Sequence, residues 1–200
     1  MSGEQSSAYA VGEDGWLAGA RPQPTDNADQ RPQGEPISLL VLHNISLPPG
    51  EFGGESIEAF FCNRLDCSSH PWFERLRDLR VSAHLLIRRD GEVVQFVPFQ
   101  DRAWHAGRST FEGKPECNDY SIGIELEGTD DEPYTTEQYR CLIEVTRSLM
   151  TAYPLITPDR IVGHEHVAPE RKTDPGAAFD WAYFLDHLTV MEPKTGQENS

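Results

Sequence analysis

The chain has 200 residues, of which 17 are Lys or Arg and 33 are Asp or Glu, so its formal net charge is −16. This length predicts a single domain with a buried core. The acidity disfavours binding to nucleic acid or to an anionic membrane surface, because both are negatively charged. A hydrophobic content of 38% excludes a wholly disordered acidic chain.

The sequence also predicts a cellular compartment and an oligomeric state. No stretch approaches the roughly 18 apolar residues of a membrane span. The first fifteen residues have neither the basic start nor the apolar run of a secretory signal. We therefore expect a cytoplasmic protein without a membrane partner, and the absence of a heptad repeat favours a monomer.

Composition divides the chain into three parts. Residues 1–35 are rich in Ser, Gly, Pro and acidic residues, which predicts a partly irregular N-terminal arm anchored by Trp16 and Leu17. Residues 36–189 form the predicted domain. Residues 190–200 have the composition of a disordered tail.

The domain begins with a predicted strand and helix. Residues 37–42 are a short aliphatic run that ends at His43, which is typical of a buried strand. The prolines and glycines in residues 48–54 predict a loop. Ser56 is the predicted cap of a helix over residues 56–65, which carry apolar residues on one face.

A hairpin is the next predicted element. Residues 80–87 and 92–97 are two strand-like runs that flank the Asp90-Gly91 pair. Such a pair between apolar runs is the strongest short-range signal for a hairpin. Residues 100–118 form a predicted long loop.

The remaining elements alternate between strand and helix. Residues 120–126 alternate as a strand does, and Thr135 with Gln138 forms a capping-box pattern before a long helical repeat. Residues 161–163 predict a short strand, and residues 179–188 a final helix. The predicted fold class is α/β, a single-domain mixed β-sheet flanked by helices.

Two histidines stand at the ends of predicted strands, where ligands collect in α/β proteins. His43 and His164 each follow a short apolar run, and Asp174 lies in a loop long enough to return to the same edge. Two histidines and one carboxylate with an open fourth position are typical of a hydrolytic zinc. Histidines that are merely hydrogen-bonded at the edge of the core remain the alternative.

Several long motifs resemble one family, and the resemblance extends in order over residues 15–188. The motifs are LHNISLPPGEFG (42–53), RVSAH (80–84), RAWHAG (102–107), CND (117–119), IELEGTD (124–130) and RKTDPG (171–176). These segments resemble the AmpD family, cytoplasmic zinc N-acetylmuramoyl-L-alanine amidases of cell-wall recycling. The resemblance implies the fold shared by phage amidases and peptidoglycan-recognition proteins.

The resemblance also implies a catalytic machinery. His43, His164 and Asp174 match the ligands of one zinc ion. Glu125 matches the glutamate that activates water, and Lys172 matches the lysine that stabilises the oxyanion. Glutamate as a proton carrier and lysine facing the developing charge agree with general principles of amide hydrolysis.

Periodicity alone leaves one choice open. Glu125 and Glu127 have the same strand phase, so spacing cannot select the base, and the resemblance selects Glu125. The acidic segment 130–132 is interpreted as a solvated turn.

The family pattern further implies substrate contacts. Asn44 and Arg80 match positions that hold the peptide and its carboxylates, and Trp104 and His105 match the loop on the sugar side. His166 stands where relatives often have Asp, and it is interpreted as a loop neighbour, with a competing metal ligand as the alternative.

The resulting hypothesis is an amidase that cleaves the bond between (1,6-anhydro-)N-acetylmuramic acid and L-alanine of a muropeptide. Two alternatives stay open: a muropeptide-binding module without catalysis, and an amidase that acts on polymeric peptidoglycan. The cleft is expected to be a cationic focus in an acidic protein, built from zinc, Arg80, Arg171 and Lys172.

Overall fold

A computed structural model of the chain describes residues 8–189. Within this range no helix is both long and apolar enough to cross a membrane. The strands are β1 (Ala10–Val11), β2 (Leu17–Ala18), β3 (Arg21–Pro22), β4 (Ala28–Gln30), β5 (Leu39–Ile45), β6 (Leu85–Ile87), β7 (Val93–Gln95), β8 (Asp101–Ala103), β9 (Thr110–Phe111), β10 (Lys114–Pro115), β11 (Ser121–Glu127) and β12 (Ile161–Gly163). The α-helices are α1 (Ser56–Phe61), α2 (Thr136–Ala152), α3 (His164–Val167) and α4 (Trp181–Thr189), and 3₁₀ turns span Pro71–Leu76, Cys117–Asp119 and Pro158–Arg160.

A six-stranded mixed sheet organises the molecule, as the sequence predicts. Its strand order is β12-β5-β11-β6-β7-β3, and every neighbouring pair is parallel except β6 with β7. The central strands β5 and β11 pair over seven residues. Their nearly continuous apolar sequences fit this position, because a central parallel strand is covered on both faces.

The two faces of the central strands have different neighbours. Leu40 and Leu42 of β5 and Ile122 and Ile124 of β11 belong to the main apolar core, together with α2 and α4. Leu39 and Val41 face the other way, toward the buried Ala106. By the same alternation, the side chain of His43 follows Val41 onto the face opposite α2.

The predicted hairpin is confirmed. β6 and β7 are antiparallel, and Leu86 lies opposite Val94. Gly91 occupies the turn with φ of +88°, a conformation that costs glycine little because it has no Cβ. The strands are shorter than the predicted runs.

The long predicted helix is confirmed with its cap. Thr135 Oγ1 accepts a hydrogen bond from the Gln138 amide at 3.1 Å, and Gln138 Oε1 accepts one from the Thr135 amide at 3.1 Å. By contrast, the predicted cap of α1 is wrong by one residue. Glu55 is the N-cap, without a side-chain bond to the helix, and Ser56 is the first helical residue.

The N-terminal segment is more structured than an irregular arm. Within residues 8–35, four short strands are present, and β3 joins the main sheet. Leu17 is buried as expected and Trp16 is half-buried, but Tyr9 is buried too. The Gln95 side chain fastens this segment, because its Oε1 accepts from the Leu17 amide at 2.6 Å. Residues 1–7 and 190–200, with the predicted tail, lie outside the described residues.

The loop predicted over residues 100–118 also contains short strands. β8 pairs with β4 of the N-terminal segment, and β9 pairs with β10. Such two- and three-residue strands carry no periodic signal, so the sequence could not reveal them.

Loss of the α2 cap gives the first prediction. Thr135→Ala removes the acceptor for the Gln138 amide and the hydroxyl that donates to the Arg89 carbonyl at 2.7 Å. We expect the free energy of unfolding to fall by about 1–2 kcal/mol, measured by urea denaturation. Thr135→Ser keeps the hydroxyl and should stay near wild type. Equal losses in both variants would contradict the capping interpretation.

Candidate active site

Three adjacent parallel strands bring the candidate residues to one edge of the sheet. β5 lies between β12 and β11. His43 pairs in register with Glu125 across β5 and β11, and His164 directly follows β12. Ligand sites in open α/β sheets gather at the carboxyl ends of strands, and this edge is such a place.

His43, His164 and Asp174 converge on one point. His43 Nδ1 lies 2.9 Å from His164 Nδ1 and 3.1 Å from Asp174 Oδ2, and His164 Nδ1 lies 3.0 Å from the same oxygen. All three side chains are buried or nearly so. Among residues 8–189, this is the group of histidine, cysteine and carboxylate side chains whose ligand atoms are close enough to hold a metal ion.

The donor set fits a cation. His164 Nε2 lies 3.1 Å from the carbonyl oxygen of Ala106. A carbonyl only accepts, so Nε2 carries the proton and Nδ1 presents a lone pair toward Asp174. Two imidazole nitrogens and one carboxylate oxygen are ligands that zinc prefers, and they leave a fourth position open.

The charge states of His43 and Asp174 also suit the binding of a cation. Burial lowers the pKa of His43 to about 4, although the nearby Asp174 carboxylate favours the protonated ring and opposes this shift. Burial acts to raise the pKa of Asp174, but the close approach of the His164 and His43 rings outweighs burial and holds that pKa well below its usual range. At neutral pH the site therefore contains a neutral His43 and an ionised Asp174.

A set of hydrogen bonds holds the loop that carries Asp174. Asp130 Oδ1 accepts from Asn44 Nδ2 at 2.8 Å, and Asp130 Oδ2 accepts from Thr173 Oγ1 at 2.5 Å. Asn44 Nδ2 also donates to the Pro175 carbonyl at 3.1 Å. The interpretation of Asp130 as part of a solvated turn is wrong, because it is half-buried and bonded. In the sequence, the position of Asp130 at the end of the IELEGTD motif is the feature that could have indicated a structural role.

Glu125 is the buried carboxylate that points into the site. Its Oε2 atom is buried and has no hydrogen-bond partner. Burial raises the pKa of Glu125 well above its usual range, the charge of Asp174 raises it further, and Lys172 opposes both. A carboxyl group whose pKa is raised in this way holds a proton more readily than an exposed carboxylate and can pass it on to a leaving group.

Glu127 has a different role, which separates the two candidates that periodicity left equal. Its Oε1 accepts from the Gly53 amide at 2.7 Å, and its Oε2 accepts from the Arg89 amide at 3.2 Å. Arg88 lies 3.5 Å from the same carboxylate. Glu127 thus fastens the loop before α1, and it is not among the described residues that line the cavity at the site.

A cavity of about 600 Å³ opens over these residues. One wall is apolar and is formed by Phe60, Phe61, Trp72, Leu76, Leu79, Val81 and Trp104. The charged residues of the lining are Glu125, Asp130, Asp131, Asp174, Arg171 and Lys172. Acidic groups outnumber basic ones in this lining, and Arg80 is not part of it. The expected cationic focus therefore depends on a bound zinc ion and stays a prediction.

The predicted substrate residues are only partly brought together. Trp104 lines the cavity and is half-buried. His105 also lines the cavity, and its Nδ1 lies 2.9 Å from His43 Nε2. Arg80 is exposed and is not among the lining residues within 8–189, and its Nη1 donates to the Leu79 carbonyl at 2.9 Å.

His166 lies outside the converging group. Its side chain is exposed, and its Nδ1 accepts from the Gly163 amide at 3.0 Å. Its ring packs edge-on against Trp181 at 5.8 Å. The structure therefore agrees with a neighbour in the loop and not with a competing ligand.

The fold and the site together define a hydrolase of the amidase class. The sequence profile of the family described as N-acetylmuramoyl-L-alanine amidase matches residues 33–177. The chain belongs to this family.

Individual relatives cover nearly the whole chain. The 1,6-anhydro-N-acetylmuramyl-L-alanine amidase AmpD of Enterobacter cloacae is 57% identical over 91% of this chain and 97% of its own length. A crystal structure of a selenomethionine AmpD derivative has a TM-score of 0.86 and 58% identity, covering 88% of this chain and 98% of that one. The Escherichia coli amidase AmiD, solved with anhydro-N-acetylmuramic acid-L-Ala-D-γ-Glu-L-Lys, has a TM-score of 0.57 and 27% identity over 88% of this chain and 65% of its own.

Buried histidines should make the metal-free protein sensitive to acid. Burial lowers the pKa of His84 and of His105 well below the usual value, helped by Arg31 at His84 and by His43 at His105. The folded state then binds fewer protons than the unfolded state below about pH 6.5. The stabilisation is complete above about pH 6.5 and is lost as the pH falls toward the lower folded pKa values.

Urea unfolding of chelator-treated protein tests this linkage. We expect the free energy of unfolding to fall between about pH 6.5 and 5.5 by up to about 1.4 kcal/mol for each such histidine. His84→Gln should reduce the slope, whereas His187→Gln, which removes an exposed histidine, should not. A slope unchanged by His84→Gln would refute the assignment.

Proposed function

We propose that this chain is a zinc-dependent amidase that hydrolyses the amide between 1,6-anhydro-N-acetylmuramic acid and L-alanine. One observation carries the proposal: the His43, His164 and Asp174 group lies beside the unpartnered Glu125 oxygen in one cavity. The names of the relatives with 57–59% identity support the choice of substrate.

The residues supply most of the mechanism. His43, His164 and Asp174 would hold one zinc ion, which, when bound, acts as a Lewis acid on a carbonyl and makes water more acidic. Glu125 accepts a proton from the attacking water while the water oxygen adds to the amide carbonyl carbon. Glu125 then returns the proton to the amide nitrogen as the C–N bond breaks, which releases a carboxylic acid and the free amine of alanine.

Lys172 is proposed to stabilise the oxygen that gains charge during this attack. It lines the cavity beside Asp174 and is close enough to oppose the rise in the pKa of Glu125. A fixed positive charge at that position acts mainly in the transition state, where charge on the oxygen is greatest.

Substrate contacts are proposed for four residues in different ways. Trp104 offers an indole face to the sugar, and His105, which also lines the cavity, is assigned to the same side. Both amide hydrogens of Asn44 are engaged by Asp130 and Pro175, so its contact with substrate is assigned to its carbonyl oxygen. Arg80 is exposed at the rim, where it can meet a peptide carboxylate that extends beyond the cavity.

Removal of the metal and of the base tests the catalytic proposal. Dialysis against a chelator should abolish release of peptide from anhydro-muropeptide, and one equivalent of Zn²⁺ should restore it. Glu125→Gln should lower kcat by about 10²–10⁴-fold while zinc content stays at one per chain. Glu132→Gln, an exposed acid in the neighbouring turn, is the matched control.

Two results would overturn this proposal. Full turnover after thorough metal removal would exclude the zinc mechanism. Binding of the muropeptide with no cleavage by the zinc-loaded protein would favour the binding module instead.

The apolar wall gives a test of the substrate. Trp104→Ala removes a flat apolar surface that can pack on a sugar ring, so we expect KM for anhydro-muropeptide to rise about tenfold with little change in kcat. Trp104→Phe should recover most of the affinity.

The rate of cleavage of intact sacculi tests the alternative substrate. If the protein cleaves intact sacculi as fast as it cleaves the soluble muropeptide, the polymer-cleaving alternative is favoured.

The cytoplasmic location and the monomeric state remain predictions of the sequence. Fractionation of cells that express the protein tests the first, and sedimentation equilibrium tests the second.

A further inference from the structure

A hydrogen-bonded relay lies behind the candidate metal site. His43 Nε2 is 2.9 Å from His105 Nδ1, and His105 Nε2 is 3.1 Å from Ser121 Oγ. The rings of His43 and His105 meet edge-on with their centroids 5.0 Å apart. His105 is only 9% exposed. The relay therefore runs from the candidate ligand through His105, at the lining of the cavity, to the fully buried Ser121.

The protein holds the His105 ring closely. A Cβ atom on Gly123 of β11 would lie 2.4 Å from His105 Cγ, so the strand can pass behind the ring only with glycine at this position. The backbone amides of His105 and Ala106 both donate to Asn118 Oδ1, at 3.2 and 2.8 Å. Packing and hydrogen bonds thus set both the plane of the ring and the path of its loop.

We propose that His105 is a positioning residue that fixes the tautomer of His43, and that the next residue, Ala106, does the same for His164. In this arrangement His43 Nε2–H donates to His105 Nδ1, and His105 Nε2–H donates to Ser121 Oγ. The Nδ1 lone pair of His43 is then directed at His164 and Asp174. The proposal deepens the proposed function and rests on it, because only a metal requires both lone pairs at once.

Ala106 fixes the tautomer of His164 through its backbone carbonyl. Its carbonyl oxygen accepts from His164 Nε2 at 3.1 Å and from Arg171 Nη2 at 2.7 Å. The carbonyl can serve only as an acceptor, which leaves the His164 Nδ1 atom unprotonated. Two consecutive residues of one loop thereby prepare both histidine ligands.

The neutral state of His105 is required for this role, since a protonated ring could not accept from His43. Hydrogen bonds of this kind orient a ligand and raise its basicity, and their loss typically weakens metal affinity by about 10–100-fold.

Two substitutions at His105 distinguish the effect of its hydrogen bond with His43 from the effect of its packing. His105→Leu fills a similar volume but cannot accept from His43. His105→Asn places its Oδ1 near the position of the lost Nδ1 and can still accept. We expect the zinc dissociation constant, measured by competition with a chromogenic chelator, to rise about 10–100-fold in His105→Leu and to stay within a few-fold of wild type in His105→Asn.

A spectroscopic readout makes the test independent of activity. Long-range ¹H–¹⁵N spectra of the zinc-loaded wild type should show the His43 proton on Nε2. Ser121→Ala should weaken zinc binding by a few-fold, and it provides a second test if His105→Leu does not fold. His187→Leu, on the exposed face of α4, is the control and should bind zinc as wild type does.

Each outcome decides one point. If folded His105→Leu binds zinc as tightly as wild type, or if Leu and Asn weaken binding equally, the positioning role is refuted while the zinc amidase proposal stands. If the wild type binds no zinc and still cleaves the substrate, the proposed function itself fails.

Discussion

The parallel pairing of β5 with β11 and β12 is the constraint on which the rest of the molecule depends. It places His43 level with Glu125 and brings the end of β12, hence His164, beside them. A shift of one residue in β5 would turn His43 toward the apolar core and a leucine toward the cavity, because successive side chains in a strand point to opposite faces. The seven-residue pairing between β5 and β11, buried on both sides, opposes that shift.

This arrangement gives one sheet two kinds of face. Toward α2 the central strands present leucine and isoleucine, whose burial stabilises the fold. On the opposite face they present His43 and Glu125, which line the cavity, and the buried Ser121. Burying polar groups costs free energy unless they are hydrogen-bonded, and His43 and Ser121 are so bonded. Glu125 retains a buried oxygen without a partner, and it is the residue to which proton transfer is assigned.

The sequence predicts the location of those site residues whose position follows from a strand. His43 and His164 follow aliphatic runs, and such runs end at an edge of the sheet, so their proximity could be expected. The sequence is less informative about the location of residues in loops. The contact between the His105 ring and His43 has no signal in any motif, because Asn118, thirteen residues further on, and Gly123 determine the path of the loop. Arg80 was expected in the cleft but is exposed.

The amino-acid sequence alone determined the α/β class, the hairpin at Gly91, the capped helix α2 and the candidate ligands, because each follows from local periodicity or from a motif. Tertiary structure alone decided the different surroundings of Glu125 and Glu127, the bonds of Asp130 and the relay through His105. The physical reason is that these depend on which donors and acceptors meet across long separations in the chain. Periodicity describes the face on which a side chain lies, but the groups packed against that face decide its charge state and its bonds.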